Sequence, residues 1–368
     1  MQLRINYNHT MQILKYISVA AVTLLLLNGC NQKVNGDKFN RVEMLTNLSS
    51  HIIIPAHQQF SISSGELKQK KDAFISNPSS VTLDSLKSAF LLAYTSYMKV
   101  EAYSLPPSEG LRNLNVFTTD TAQIKSNVSS GSYDLNTANN IRAKGFPAID
   151  FMLYSGSSNE ILTRFTSDIN ASGRKQYLSD IVNEIETVSS NASSAWTSYV
   201  DQFIGASGTD IGSSSGMLVN DLSFEIERCR RERVGNSLGY LGSISTGTLN
   251  PMSVEAYYSA YSKELLIENL KECKTLYTGG TGISFDDYLA YLNADYNGQP
   301  LDSVITNQFD VTIQKAQNVP VDFSTAITTN KPEMESLFLE LKKLTVLLKV
   351  DMSSQLGVII NYSDTDGD

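Results

Sequence analysis

Histidine is almost missing from this 368-residue chain, which holds three: His9, His51 and His57. A zinc centre of the two- or three-histidine kind therefore has almost no ligands to draw on. Cysteine is equally scarce at three, and tryptophan occurs once, as Trp196. Positive charge is in deficit, with 29 Lys and Arg against 38 Asp and Glu and a formal net charge of −9. That balance argues against nucleic acid as a partner and against a polybasic grip on anionic lipid. Phosphate-loop and dinucleotide motifs are missing, and no nucleophile elbow on a strand-to-helix turn supports a Ser-His-Asp triad. Long hydrophobic runs are lacking too. The stretch Ile17–Leu27 is too short to cross the ~30 Å of a bilayer core.

What that short run does resemble is a secretion signal of the lipoprotein type. Lys15 precedes it, and it ends in Leu27-Asn28-Gly29-Cys30, with a small residue just before the cysteine. Residues 1–29 read as the signal peptide, with Met11 as an alternative start. Cys30 reads as the lipidated first residue of the mature chain, anchored to a membrane and not spanning it. The alternative is an ordinary secreted protein that loses this segment, and either reading places the chain outside the cytoplasm. Asn31 is not the Asp that retains some lipoproteins at the inner membrane, which favours the outer membrane. Losing residues 1–29 removes Arg4 and Lys15 but no acid, so the mature charge is about −11. Cys229 and Cys273 are then the remaining thiols, and nothing local says whether they pair.

The pattern along the chain is helical, without the sustained alternation of strands. Residues 30–38 read as a polar tether. A long helix is expected from about Phe39, with Pro55 as a kink. Ser79, Ser80 and Thr82 open another, whose stripe runs Leu83, Leu86, Phe90, Leu91, Tyr94, Tyr97 and Met98, the spacing of a bundle helix. Residues 103–146 read as irregular structure with short helical turns. Further helices are expected over 174–203, 217–233, 253–276, 302–318 and 331–355. The Gly- and Ser-rich segment 206–216 is the clearest break. The expected fold is all-α: one helical bundle over 39–205 and a second over 217–368.

Three places stand out chemically. Glu101 follows Tyr94, Tyr97 and Met98 at helical spacing. On that apolar face a carboxylate must be hydrogen-bonded, paired or bound to metal, unless the helix frays there into water. Asp150 is the lone carboxylate of the apolar run Gly145-Phe-Pro-Ala-Ile-Asp-Phe-Met-Leu-Tyr154. Pro147 suits a first helical turn, Gly145 permits close backbone approach, and Asp150 complements the helix dipole or does more. Third, Glu225, Glu227, Arg228, Arg230, Arg231 and Arg233 share one helix, with Val219, Leu222, Ile226 and Cys229 as its buried seam. Most of these charges should form a solvated face, although one Arg has the planar fork to clamp a carboxylate or phosphate. The tail Ser363–Asp368 resembles half a calcium loop but lacks the distal glutamate.

Several blocks in order resemble the imelysin family of bacterial envelope proteins: Ile53–Phe60, Ala89–Tyr94 with Val100–Tyr103, Lys144–Asp150, Leu218–Leu222 with Arg233–Gly235, and Leu356–Asp368. The resemblance implies paired helical bundles with a site in the cleft between them, a link to iron acquisition, and a nominal metallopeptidase class. The family's Gly-x-His-x-x-Glu motif would place a histidine and a glutamate on one helix face. Here the matching residues are Gly145, Pro147 and Asp150. Proline has no ligand atom, and His57 is the candidate nitrogen to compensate. Three functions follow as expectations. The first is a ligand-binding lipoprotein for iron or nutrient uptake, with Glu101, Gly145, Pro147, Asp150 and Glu225 at its cleft and oxygen ligands suited to iron or another hard cation. The second is a metal-dependent peptidase using Asp150, Glu101 and His57. The third is a metal-free adaptor for an outer-membrane uptake receptor.

Overall fold

Ser79 shows how local chemistry starts these helices. Its amide donates to Thr82 Oγ1 at 3.0 Å, and the Thr82 amide returns a bond to Ser79 Oγ at 3.2 Å. This capping box satisfies donors that a helix start leaves over. The helix it opens buries Leu83, Leu86, Phe90, Tyr94, Tyr97 and Met98 along one side, as the stripe requires. The computed structural model describes residues 39–241 and 244–362. Residues 1–38, with the signal segment, Cys30 and the tether, and the tail Ser363–Asp368 lie outside the described residues.

The fold is all-α. In chain order the helices are α1 (Arg41–Asn47), α2 (Ile54–Ser76), α3 (Ser80–Glu101), α4 (Thr121–Ser130), α5 (Gly145–Tyr154), α6 (Ser158–Thr166) and α7 (Ala171–Gly205). Then come α8 (Ser214–Arg228), α9 (Ser262–Thr278), α10 (Phe285–Tyr291), α11 (Leu301–Gln317), α12 (Phe323–Thr329), α13 (Lys331–Val346) and α14 (Ser353–Leu356). Among the described residues, strand is confined to two short antiparallel pairs. In one, β1 (Tyr240–Leu241) pairs with β2 (Ile244–Ser245); in the other, β3 (Asp295–Tyr296) pairs with β4 (Gln299–Pro300).

Helices α2, α3 and α7 pack together as one layer of the molecule, and α9, α11 and α13 as another; α3 against α9 joins the two. The described residues from Arg41 onward form one compact unit, and the segment from Ala206 to Ser213 is a loop within it. Ser214 Oγ donates to Phe203 O at 2.6 Å across that loop, and Ser213 caps α8. Among the described residues, no helix is long and apolar enough to cross a membrane.

Three stretches differ from the sequence reading, each for a local reason. Where a kink was expected at Pro55, a π-helical turn, Leu48–Ile53, joins α1 to α2. Widening the register just before the proline accommodates its missing N–H. Within the supposedly irregular 103–146, α4 is a regular helix, capped by Asp120 Oδ1 on the Gln123 amide at 2.9 Å and closed by Gly131 at φ 63°. The cap, Ile124, Val128 and the terminal glycine were its sequence signal. The helix expected from residue 253 starts only at Ser262. Residues 254–261 form a turn in which Ala256 and Ala260 take φ of 48° and 56°, a left-handed backbone that costs alanine energy and needs support from outside the loop.

Candidate functional site

Glu101 ends the buried stripe of α3 fully enclosed, and cations reach it from far along the chain. Arg228 Nη1 bonds one carboxylate oxygen and Arg233 Nη2 the other. Tyr97 Oη adds a bond at 2.9 Å. Five residues advance an α-helix by one turn and about 140°, which would point Arg228 and Arg233 in different directions. The chain avoids this by passing into a π-helical turn, Cys229–Gly235, whose i→i+5 register returns both guanidinium groups to one side.

Further charges close around this core. Arg233 also lies 3.4 Å from Glu225 and 3.3 Å from Glu255. Arg228 lies 3.6 Å from Glu225. Arg112, from the 3-10 turn Glu109–Leu114, bonds Asp221 at 2.7 Å and lies 3.9 Å from Glu225. Asn115 donates to Glu255 at 2.6 Å and accepts from Tyr94 Oη at 2.6 Å. All four carboxyl groups are buried, as are Arg228 and Arg233.

The expected solvated face of the 225–233 helix is therefore corrected. Glu225, Glu227, Arg228, Arg230 and Arg233 are buried, and only Arg231 and Glu232 are partly exposed. Helices α1, α9 and α13 all pack on α8 or its π-helical continuation, so little of its circumference is left for water. Arg112, Asn115, Asp221 and Glu255 escaped the sequence reading because none sits on a conspicuous apolar face.

Electrostatics follows from the count. Three guanidinium groups face four buried carboxyls, and the partly exposed Glu232 adds a fifth at 2.9 Å from Arg228 Nε. Burial pushes Glu101 up, but Arg228 and Arg233 outweigh it and hold the group at about 2. Burial and the charge of Glu101 push Glu225 up to about 7; neither of its oxygens has a hydrogen-bond donor among the described residues. Burial likewise raises Glu255 and Asp221. A proton on Glu225 would leave three buried carboxylates against three guanidinium groups. A carboxyl raised in the folded state stabilises below its unfolded value, and that contribution is lost as pH rises through the folded value. Wild-type stability should therefore fall between pH 5 and 8, whereas Glu225→Gln should flatten that slope and gain on the order of 1–3 kcal/mol at pH 8. Urea midpoints at both pH values test this; parallel slopes would refute it.

Asp150 lies outside these ion pairs. Its carboxylate accepts the Tyr258 amide at 2.9 Å and the Ser259 amide at 3.0 Å, pinning the strained turn 254–261 that carries Glu255. Burial pushes it up to about 6 despite those donors. Gly145, at φ 66°, packs where a Cβ would overlap the Leu114 backbone. Pro147 is buried in the first turn of α5. Phe146 stacks on Tyr94 at 4.5 Å, joining this helix to α3. His57 is buried beside Tyr103 and Trp196, with ring centroids at 5.8 and 5.6 Å. Its Nδ1 bonds Ile53 O at 2.9 Å, and burial lowers it to about 4. Cys229 and Cys273 are buried free thiols that both face Asn269 Oδ1, at 3.1 and 3.9 Å.

These residues do not fit a metal centre of the kind the motif positions suggest. Pro147 brings no donor atom, both oxygens of Asp150 hold backbone amides, and those of Glu101 hold guanidinium groups. Among the described residues, no group of three or more His, Cys, Asp or Glu side chains could hold a metal ion. The expected convergence is thus partial. Glu101 and Glu225 meet, but in a buried ion-pair cluster and not along an open cleft, while Asp150 and His57 have separate partners.

The same fold occurs in two crystal structures. An imelysin-like protein from Psychrobacter arcticum 273-4 aligns with a TM-score of 0.67 at 14% identity, over 88% of this chain and 97% of that one. A protein described as an iron-regulated protein A precursor, from Parabacteroides distasonis ATCC 8503, aligns with a TM-score of 0.69 at 15% identity over the same shares. No curated protein sequence matches this chain. The Imelysin (peptidase M75) family model matches residues 53–349, most of the described molecule and every residue of the cluster, and the chain therefore belongs to the imelysin family.

Proposed function

We propose that this chain is a non-peptidase binding component of the cell envelope, linked to iron or a related nutrient, exported and held at the outer membrane by lipid on Cys30. The observation that carries the reading is the commitment of the donor atoms. A metal-dependent hydrolase needs an open coordination position and a free base, yet Glu101 and Asp150 have both oxygens engaged and Pro147 has none to offer. Recruiting Glu101 to a metal would require two buried guanidinium groups to give it up, at the cost of leaving their charges unpaired. The iron link rests on family membership and on the description of the Parabacteroides protein as iron-regulated. The export reading rests on the segment ending at Cys30.

The test is metal content, ferric and zinc titration, and peptide hydrolysis for the chain lacking residues 1–30, beside Asp150→Ala. The expected result is no turnover and no stoichiometric metal that depends on Asp150. Hydrolysis abolished by Asp150→Ala and restored by added metal would overturn the reading.

A further inference from the structure

A cleft opens beside α5, lined by none of the ion-pair cluster's residues, and its charge is opposite to that of the protein. Its volume is about 760 Å³, within the range of small-molecule sites. Lys125, Arg164 and Arg174 line it against a single acid, Asp168, in a chain with nine more acidic than basic residues. Phe151 and Tyr258, in edge contact at 5.2 Å, form an aromatic wall.

Arg164 and Arg174 are held by hydrogen bonds, and none of the three cations has a carboxylate within ion-pair distance among the described residues. Arg164 is held by Ser155, through Nη1 to Oγ at 2.9 Å and Nη2 to the carbonyl at 3.1 Å. Arg174 donates Nε to Arg164 O at 3.2 Å. Its terminal nitrogens, like Lys125 Nζ, have no protein acceptor among the described residues. Lys125 Nζ lies 5.9 Å from the Phe151 ring. Gly173 lets the first turn of α7 press on the Val128 carbonyl, which brings Arg174 against α4, the helix that bears Lys125. Burial lowers Arg174; the charge of Asp168 raises it and that of Arg164 lowers it further.

We propose that this cleft binds a small organic anion, a carboxylate carried on a flat apolar body, with the terminal nitrogens of Arg174 clasping the carboxylate. Lys125 supplies long-range attraction, and Phe151 and Tyr258 contact the apolar part. A planar guanidinium matches a carboxylate through paired hydrogen bonds, and the ring faces contribute apolar contact that a bare inorganic anion would not use. The cleft stands independently of the uptake reading: hydrolysis by the protein would leave this site intact, and a failure to bind anions would leave the non-peptidase reading intact.

The experiment is calorimetric titration of the purified protein with benzoate and with inorganic phosphate. It includes Arg174→Gln, Lys125→Gln, Phe151→Leu and, as a remote control, Lys342→Gln. Benzoate should bind more tightly than phosphate. Arg174→Gln should weaken it at least about tenfold, and Lys125→Gln should reduce its salt dependence. Phe151→Leu should weaken benzoate while leaving phosphate unchanged, and Lys342→Gln should change neither. Thermal midpoints separate loss of binding from loss of fold. Equal benzoate affinity in wild type, Arg174→Gln and Lys125→Gln would overturn the proposal, as would a preference for phosphate.

Discussion

Arg233→Met should lower the stability of this protein by about 3–5 kcal/mol, the usual cost of removing one partner from a buried ion pair. Arg233 is 1% exposed and faces Glu101, Glu225 and Glu255 together. Methionine fills much of the volume but leaves these carboxyls with Arg228 and the more distant Arg112. Against a typical folding free energy of about 5–15 kcal/mol, such a loss is visible as a large drop in urea midpoint. Adding Glu255→Gln should recover part of it, because one unpaired carboxylate is removed along with the cation, and contacting sites couple by about 0.5–3 kcal/mol. The pH profile gives a second readout. Glu101, held at about 2 by its guanidinium partners against the pull of burial, stabilises the fold fully above pH 4.5. That contribution fades as pH falls toward 2. In Arg233→Met this acid-limb dependence should shrink. A variant within about 1 kcal/mol of wild type would mean the cluster is not a structural element.

Gly145→Ala should be comparably damaging, at about 3 kcal/mol or more, since it combines a left-handed backbone with a steric overlap. The φ of 66° is one cost. The other is the position of the new Cβ, which would meet the carbonyl and Cα of Leu114. These are main-chain atoms of the 3-10 turn that carries Arg112 and leads directly to Asn115. That turn would have to shift, taking with it the partners of Asp221, Glu255 and Tyr94. The motif glycine thus acts through the cluster: it lets α5 sit close enough for the turn beneath it to complete the ion-pair network. Thermal denaturation measures the effect, and a shift of less than a few degrees would show that the backbone contact can relax cheaply.

Asp150 illustrates a different division of labour. Its place in an apolar run marked it as a residue with a task, and the task proves to be holding two amides of a strained turn. Nothing in the run itself names Tyr258 and Ser259, which lie 108 and 109 residues further on. The helix start at Ser262 was misjudged for the same reason. Residues 254–261 have apolar spacing compatible with helix, and the alternative conformation is sustained from outside, by Asp150.

The amino-acid sequence alone determined the all-helical class, the apolar stripe of α3 with Glu101 in line with it, the helix start at Ser79–Thr82 and the departure from the family motif at Pro147. These depend on residues within a few positions of one another, where helical periodicity and hydrogen-bonding chemistry act directly. Tertiary structure decided what neutralises Glu101. Arg228 and Arg233 lie 127 and 132 residues away, and they converge only because a π-helical turn realigns them and α9 and α13 enclose their helix. A charge run looks the same whether it will meet water or another helix. Enclosure by packing, which lowers the local dielectric and makes every unpaired charge costly, turned this one into the centre of the molecule.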